Sequence, residues 1–198
     1  GLLPVPQMVE KAQAVGAING GFFNRIRKLP VGAIREGNRW IAGTALVRGA
    51  IAWNEKGETL IDRLNFTEEI TTANQTKITL TNLNSGYVQR GIARYTPNWG
   101  SGYTPLTENE LLIVVRGDRV VAQYQGGAVG VGQVAIPSDG YVLVARQSPE
   151  AAKQLPVGMT VRGRQAFVPE KFSNFPNLIG AGPLLLKNGN ISLDGKLE

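Results

Sequence analysis

Cysteine and histidine are both absent from this chain of 198 residues. Without cysteine there are no disulfides, thiol nucleophiles or thiolate metal sites. Without histidine there is no Ser-His-Asp triad, Cys-His pair, histidine-ligated zinc or histidine general base. Any proton transfer falls to Asp, Glu, Lys, Tyr or a metal-bound water. Charged residues are sparse at 18%, and no apolar run approaches the ~18 residues of a membrane-spanning helix. No calcium loop, D-x-D pair or Walker-type Gly-Lys-Ser/Thr is found, so neither a metal nor a cofactor is expected.

What is present favours β structure: 25 glycines and 11 prolines among 42% hydrophobic residues make a turn-rich chain with enough apolar content for one core. The net charge of +6 invites an anionic partner. The basic residues are dispersed, however, with Arg25-Ile26-Arg27-Lys28 as their one cluster, and no RNP-type motif or recognition-helix pattern accompanies them. Nucleic acid is therefore not an expected partner, whereas a phosphorylated or acidic glycan is compatible.

Along the chain, Val5, Met8, Val9, Ala12 and Val15 mark one face of a helix over 4–15, with Pro6 in its first turn and Gly16 as its stop. Strands are expected at Ala45–Trp53, Thr59–Leu64, Lys77–Leu83 and Val88–Tyr95, and 97–105 reads as an aromatic loop. The run Leu111–Val115 reads as a strand buried on both faces, turned by Gly117-Asp118 into Val120–Tyr124. Further strands are expected at Tyr141–Arg146 and Thr160–Val168, with a helix from Ser148-Pro149 to about Leu155 between them. Asn188-Gly189 joins a last hairpin, Gly182–Lys187 to Ile191–Leu193. The expected fold class is α+β: a β-rich single domain with mixed or antiparallel sheets and two short helices.

Several tempting signals fail. Gly130-Val131-Gly132-Gln133-Val134-Ala135 imitates the dinucleotide fingerprint, but Pro137 and Ser138-Asp139-Gly140 leave no room for the helix whose N–H groups would face a pyrophosphate. Gly126–Gly132 is better taken as a glycine-rich loop or bulged strand. Glu68-Glu69 and Glu108-x-Glu110 read as solvated strand edges. The sequons at Asn65, Asn74 and Asn190 are short enough to arise by chance. A glycosidase carboxylate pair cannot be picked from spacing along the chain.

The stretch that stands out is Ala17-Ile18-Asn19-Gly20-Gly21-Phe22-Phe23-Asn24. An apolar lead-in breaks into a glycine pair that permits positive φ and close approach to the main chain, flanked by two neutral amides. It reads either as a strand end and tight turn with the phenylalanines in the core, or as a cradle for a polar, hydroxyl-rich ligand.

These residues, followed by Pro30-Val31-Gly32 and Glu36-Gly37, resemble the start of the phosphodiester glycosidase family. That family includes an N-acetylglucosamine-1-phosphodiester α-N-acetylglucosaminidase and bacterial proteins linked to exopolysaccharides. The likeness continues in Tyr95-Thr96, in the run Pro137-Ser138-Asp139-Gly140-Tyr141-Val142-Leu143-Val144, in Leu155-Pro156-Val157-Gly158 and in Ile179-Gly180-Ala181-Gly182-Pro183-Leu184-Leu185. It implies hydrolysis of a sugar-1-phosphodiester, a glycan or sugar-phosphate substrate, and an extracytoplasmic (periplasmic or secreted) location. On that resemblance Asn19, Gly20, Gly21, Phe22, Asn24 and Arg25 bind substrate, Arg25 or Arg27 lies near its phosphate, and Gly180 and Gly182 line the facing wall. Family members continue into Arg-Thr-Ala-x-Gly and Leu-Asp-Gly-Gly-Gly-Ser segments that this sequence does not contain, and Asp194-Gly195 is no substitute. The family carboxylate therefore has no counterpart here and no catalytic residue is assigned. The expectation is a domain over 1–196 that is truncated at both ends, with Leu197-Glu198 as a cloning scar. A non-catalytic carbohydrate- or polyanion-binding domain is the alternative, and an interaction scaffold a third reading.

Overall fold

The computed structural model describes residues 3–17, 19–25, 28–44 and 46–192. Helix α1 (Val5–Ala12) comes first and has no buried residue. It is shorter than the 4–15 span expected, because Gln13 turns left-handed at φ 49° and closes it before Gly16. The strands that follow are β1 (Phe23–Asn24), β2 (Leu29–Pro30), β3 (Ile34–Glu36), β4 (Arg39–Thr44), β5 (Arg48–Trp53), β6 (Thr59–Thr72), β7 (Lys77–Leu83), β8 (Gly91–Tyr95) and β9 (Gly102–Tyr103). Next come β10 (Leu111–Arg116), β11 (Arg119–Gln125), β12 (Val134–Ala135), β13 (Gly140–Arg146), helix α2 (Pro149–Lys153) and β14 (Val161–Val168). A 3₁₀ turn (Glu170–Asn174), β15 (Asn177–Gly180), β16 (Leu186–Lys187) and β17 (Asn190–Ile191) end the described chain. The protein is thus β-rich, with two short α-helices and a mixed main sheet whose one parallel pair among the described strands is β7 with β8.

The topology rests on β6, a strand of 14 residues. Its first half pairs with β5, and its second half pairs with β14 and with β7. Because β7 also pairs with β4, β4 with β3, β3 with β15 and β15 with β5, six antiparallel strands close into a ring. Trp40, Ala50, Ala52, Leu64, Phe66, Leu83 and Leu178 from those strands form one core cluster with Ala33 and Phe172. Beyond β7 the sheet continues as a wing in the order β8, β13, β10, β11. Ile113, Val115, Leu143 and Ala145 pack on one face of the wing with Ala152 of α2, and Leu112, Val114, Val142 and Val144 pack on the other with Tyr95 and Tyr103. A strand covered on both faces has no polar side to alternate with, which is why 111–115 reads as an unbroken apolar run.

Several expectations need correction. Thr59–Leu64 is the first half of β6; the charged residues of 65–72 hid the rest, although its even-numbered positions from Asp62 to Thr72 are all buried. Val88–Tyr95 begins as a strand at Gly91, and Ala45–Trp53 begins at Arg48, with Ala45 outside the described residues. The loop at 97–105 contains β9, which pairs with β12. α2 stops at Lys153, and Ser148 makes no side-chain cap. The last hairpin is two residues on each side of Asn188-Gly189, both at positive φ (52° and 79°), while Leu193 lies outside the described residues. Glu68 and Glu110 are buried, not solvated, because each faces an arginine. Gly126–Gly132 is a loop, as expected.

Candidate functional site

The two segments that carry the resemblance start at opposite ends of the chain and meet. A Cβ on Gly21 would collide with the carbonyl oxygen of Gly180, and one on Gly20 with the Ile179 side chain, so glycine permits backbone-to-backbone contact here. A Cβ added at Gly182 would stand in ordinary van der Waals range of the Phe22 ring. The second segment is fixed by hydrogen bonds: Gly180 N–H donates to the Ala33 carbonyl at 2.7 Å, Ala181 N–H to the Gly49 carbonyl at 2.7 Å, and Gly49 N–H to the Gly182 carbonyl at 3.1 Å. The first is held by Val31 N–H donating to the Phe22 carbonyl at 3.1 Å and by the hairpin of β1 and β2.

Between them lies a cavity of about 200 Å³ lined by Gly21, Phe22, Phe23, Lys28 and Gly180, with Ile34 and Ile179 behind. Gly32 and Gly180 also border a narrow crevice that reaches Arg48. Of the residues inferred from sequence, Gly21, Phe22 and Gly180 line the cavity. Gly20 and Gly182 support its walls, and Asn19 and Arg25 are exposed on the same segment without lining it. Asn24 is half-buried in β1. Ile18 and Arg27 lie outside the described residues. The core reading of the stretch needs correction: among its described residues the strand begins at Phe23, and its phenylalanines are outside the core, Phe22 being 60% and Phe23 45% exposed. Lys28 and Ile179 were named in the sequence only within longer stretches and were not assigned to the site, and Arg48 was not named. Lys28 belongs to the basic cluster, which was the available signal.

Chemically, two half-exposed rings, a lysine ammonium and main-chain groups bared by glycine suit a ligand with hydroxyls and negative charge. Among the described residues lining the cavity and the crevice there is no carboxyl; their charged side chains are Lys28 and Arg48.

The chain's most elaborate polar cluster lies in the wing. Arg146 Nε donates to Glu110 at 2.6 Å, and its Nη2 to the Tyr95 and Tyr103 hydroxyls at 2.9 and 2.8 Å. The Tyr103 hydroxyl donates to Glu110 at 2.7 Å, and Thr107 donates to it through both N–H (3.0 Å) and Oγ (2.9 Å). Burial pushes both tyrosines above their ordinary range. It also opposes the Arg146 charge, but the two tyrosines and Glu110 outweigh it and hold the guanidinium above its usual value. With both hydroxyls kept neutral and the guanidinium held charged, this cluster braces the wing.

No family model matches the chain, and no curated protein does. A solved structure described as a hypothetical protein from Synechocystis is 46% identical over the whole chain, with a TM-score of 0.94, and the chain spans 37% of its length. A "putative exported protein" from Burkholderia pseudomallei K96243 matches over 90% of the chain at 19% identity and TM-score 0.70, with 43% of its own length covered. At that identity the second likeness speaks to fold. In both cases the chain spans well under half of the protein it resembles.

Proposed function

We propose that this chain binds a sugar-1-phosphodiester for hydrolysis, outside the cytoplasm and in the metabolism of an exopolysaccharide, as its resemblance to phosphodiester glycosidases implies. One observation carries the reading: the two stretches most specific to that resemblance touch through glycine at one cavity, beside Lys28. Cleavage at the anomeric carbon builds positive character on the sugar and leaves charge on the phosphate. Here the cation and the bared main-chain groups serve the phosphate, the Phe22 and Phe23 rings serve the sugar face, and the carboxyl for the anomeric centre comes from outside the residues lining these walls. The description of the Burkholderia protein as exported fits the proposed location.

The test is release of N-acetylglucosamine from UDP-N-acetylglucosamine. Turnover is expected of the complete protein, and Phe22→Ala, which removes a ring lining the cavity, should lower it tenfold or more, a barrier increase of about 1.4 kcal/mol. Binding without turnover that survives Phe22→Ala overturns both the reaction and the site. The absence of a lining carboxyl favours the second reading, a carbohydrate- or polyanion-binding domain without catalysis, for which saturable binding abolished by Lys28→Ala is the expected result.

A further inference from the structure

A second cavity, about 780 Å³, is not this site. It lies on the wing, where Leu112, Val114 and Tyr124 of β10 and β11 make its floor and the glycine-rich segment 126–133 makes one wall. Its volume falls within the range of ligand sites.

We propose that this groove is a second binding site, for a neutral oligosaccharide chain. Charge comes first. Arg116, the one cation lining the groove, is engaged by Asp139 through both Nε (2.9 Å) and Nη2 (3.2 Å), so no free charge is left to attract an ion. The remaining polar side chains are Tyr124, Gln125, Gln133 and Ser138, each able to donate and to accept, which matches hydroxyls in either role, with the Gln125 amide also donating to the Glu110 carbonyl at 3.4 Å. Shape comes next. The Tyr124 ring is 50% exposed at an apolar floor, a platform for the C–H face of a pyranose, while the amides and hydroxyl meet its edges.

The groove is also built in advance. Gly126 N–H donates to the Glu110 carbonyl at 2.6 Å, Gly130 N–H to the Pro105 carbonyl at 3.0 Å, and Ile136 N–H to the Ser101 carbonyl at 2.9 Å. Gln133 packs directly on Gly102, where a Cβ would collide with its side chain. Binding therefore needs little ordering of the walls. A peptide laid along β11 as an added strand is disfavoured, since Val120 already donates to Met159 (2.9 Å) and accepts from Gly158 (2.8 Å) on that edge.

Calorimetric titration of the protein with cellohexaose, chitohexaose, maltohexaose and xylohexaose tests the proposal. Saturable binding of at least one is expected. Tyr124→Ala should weaken it about tenfold or more, as loss of a central aromatic anchor does, Tyr124→Phe should retain it, and Gln133→Ala should weaken it less. Phe22→Ala should leave it unchanged, and Tyr124→Ala should leave sugar release from UDP-N-acetylglucosamine unchanged, so this proposal and the preceding one fail separately. No binding by any of the four, binding indifferent to both Tyr124→Ala and Gln133→Ala, or binding lost only with Phe22→Ala overturns it. So does a preference for extended peptides over all four sugars.

Discussion

Glu110 and Glu68 are both buried carboxylates with an arginine nitrogen 2.6 Å away, yet their surroundings differ. Glu110 also receives the Tyr103 hydroxyl, both donors of Thr107 and, at 3.3 Å, the Leu106 N–H. Glu68 has Gln165 at 3.0 Å besides Arg94, and its Oε2 has no partner among the described residues. Burial accordingly pushes the Glu68 carboxyl above the usual range, with Arg94 and Gln165 offsetting it only in part. An arginine at contact distance does not make a buried charge stable; the donors around the carboxylate decide that.

Substitution can break this comparison. The largest effect is expected from Glu110→Gln, which leaves Arg146 buried and uncompensated at a cost of about 3–5 kcal/mol in urea unfolding. Tyr103→Phe removes one donor to Glu110 and one acceptor from Arg146, for about 1–3 kcal/mol by the same measurement. Glu68→Gln should cost less than ~1 kcal/mol at pH 7, because Arg94 keeps some solvent access and packs on the Tyr141 ring at 5.2 Å. Equal costs for the two Glu→Gln changes would sink the argument.

The pH dependence sharpens the contrast. A raised carboxyl favours the protonated fold, so the Glu68 contribution is full below its unfolded value of 4.5 and is lost as pH rises through the folded value. Glu68→Gln should remove that decline from a series of urea midpoints. Asp62 slopes the other way: burial opposes its charge, but Lys187 (2.7 Å) and Lys171 (3.0 Å) hold its carboxyl at about 2. Its contribution is present above the unfolded value of 3.8 and is lost as pH falls toward 2. Asp62→Asn should cost ~1 kcal/mol at pH 7, discounted because both lysines are half exposed, and clearly less near pH 2. Smallest of all, Phe22→Ala should shift the unfolding midpoint by less than ~0.5 kcal/mol, since its ring projects from the fold.

Local chemistry was legible in the sequence wherever it needs few neighbours. Asn188-Gly189 and Gly117-Asp118 mark their turns because those residues tolerate positive φ, and both pairs adopt it. The facing of Gly21 and Gly180 was legible only through resemblance; composition offered a glycine at each end and no reason for them to meet. β15 was missed because a four-residue strand between prolines and glycines carries too little pattern. The buried glutamates were missed because a charged residue reads as exposed until its partner is known, and Arg146 arrives 36 positions after Glu110. One signal was available: Leu64, Phe66, Glu68 and Ile70 alternate on a single face, so Glu68 stood in an inward register.

The place of β15 between β3 and β5 sets the order of events during synthesis. Two strands from the first third of the chain must wait, with unsatisfied edges, until Asn177–Gly180 leaves the ribosome, a delay on the order of ten seconds at typical elongation rates. During that interval the slot is open to any extended segment, including the same segment of a neighbouring nascent chain. The same vacancy offers a use: a chain ending before Asn177 should recover solubility when a synthetic peptide carrying Asn177–Gly180 and its flanks is supplied in trans, reconstituting the ring from two pieces.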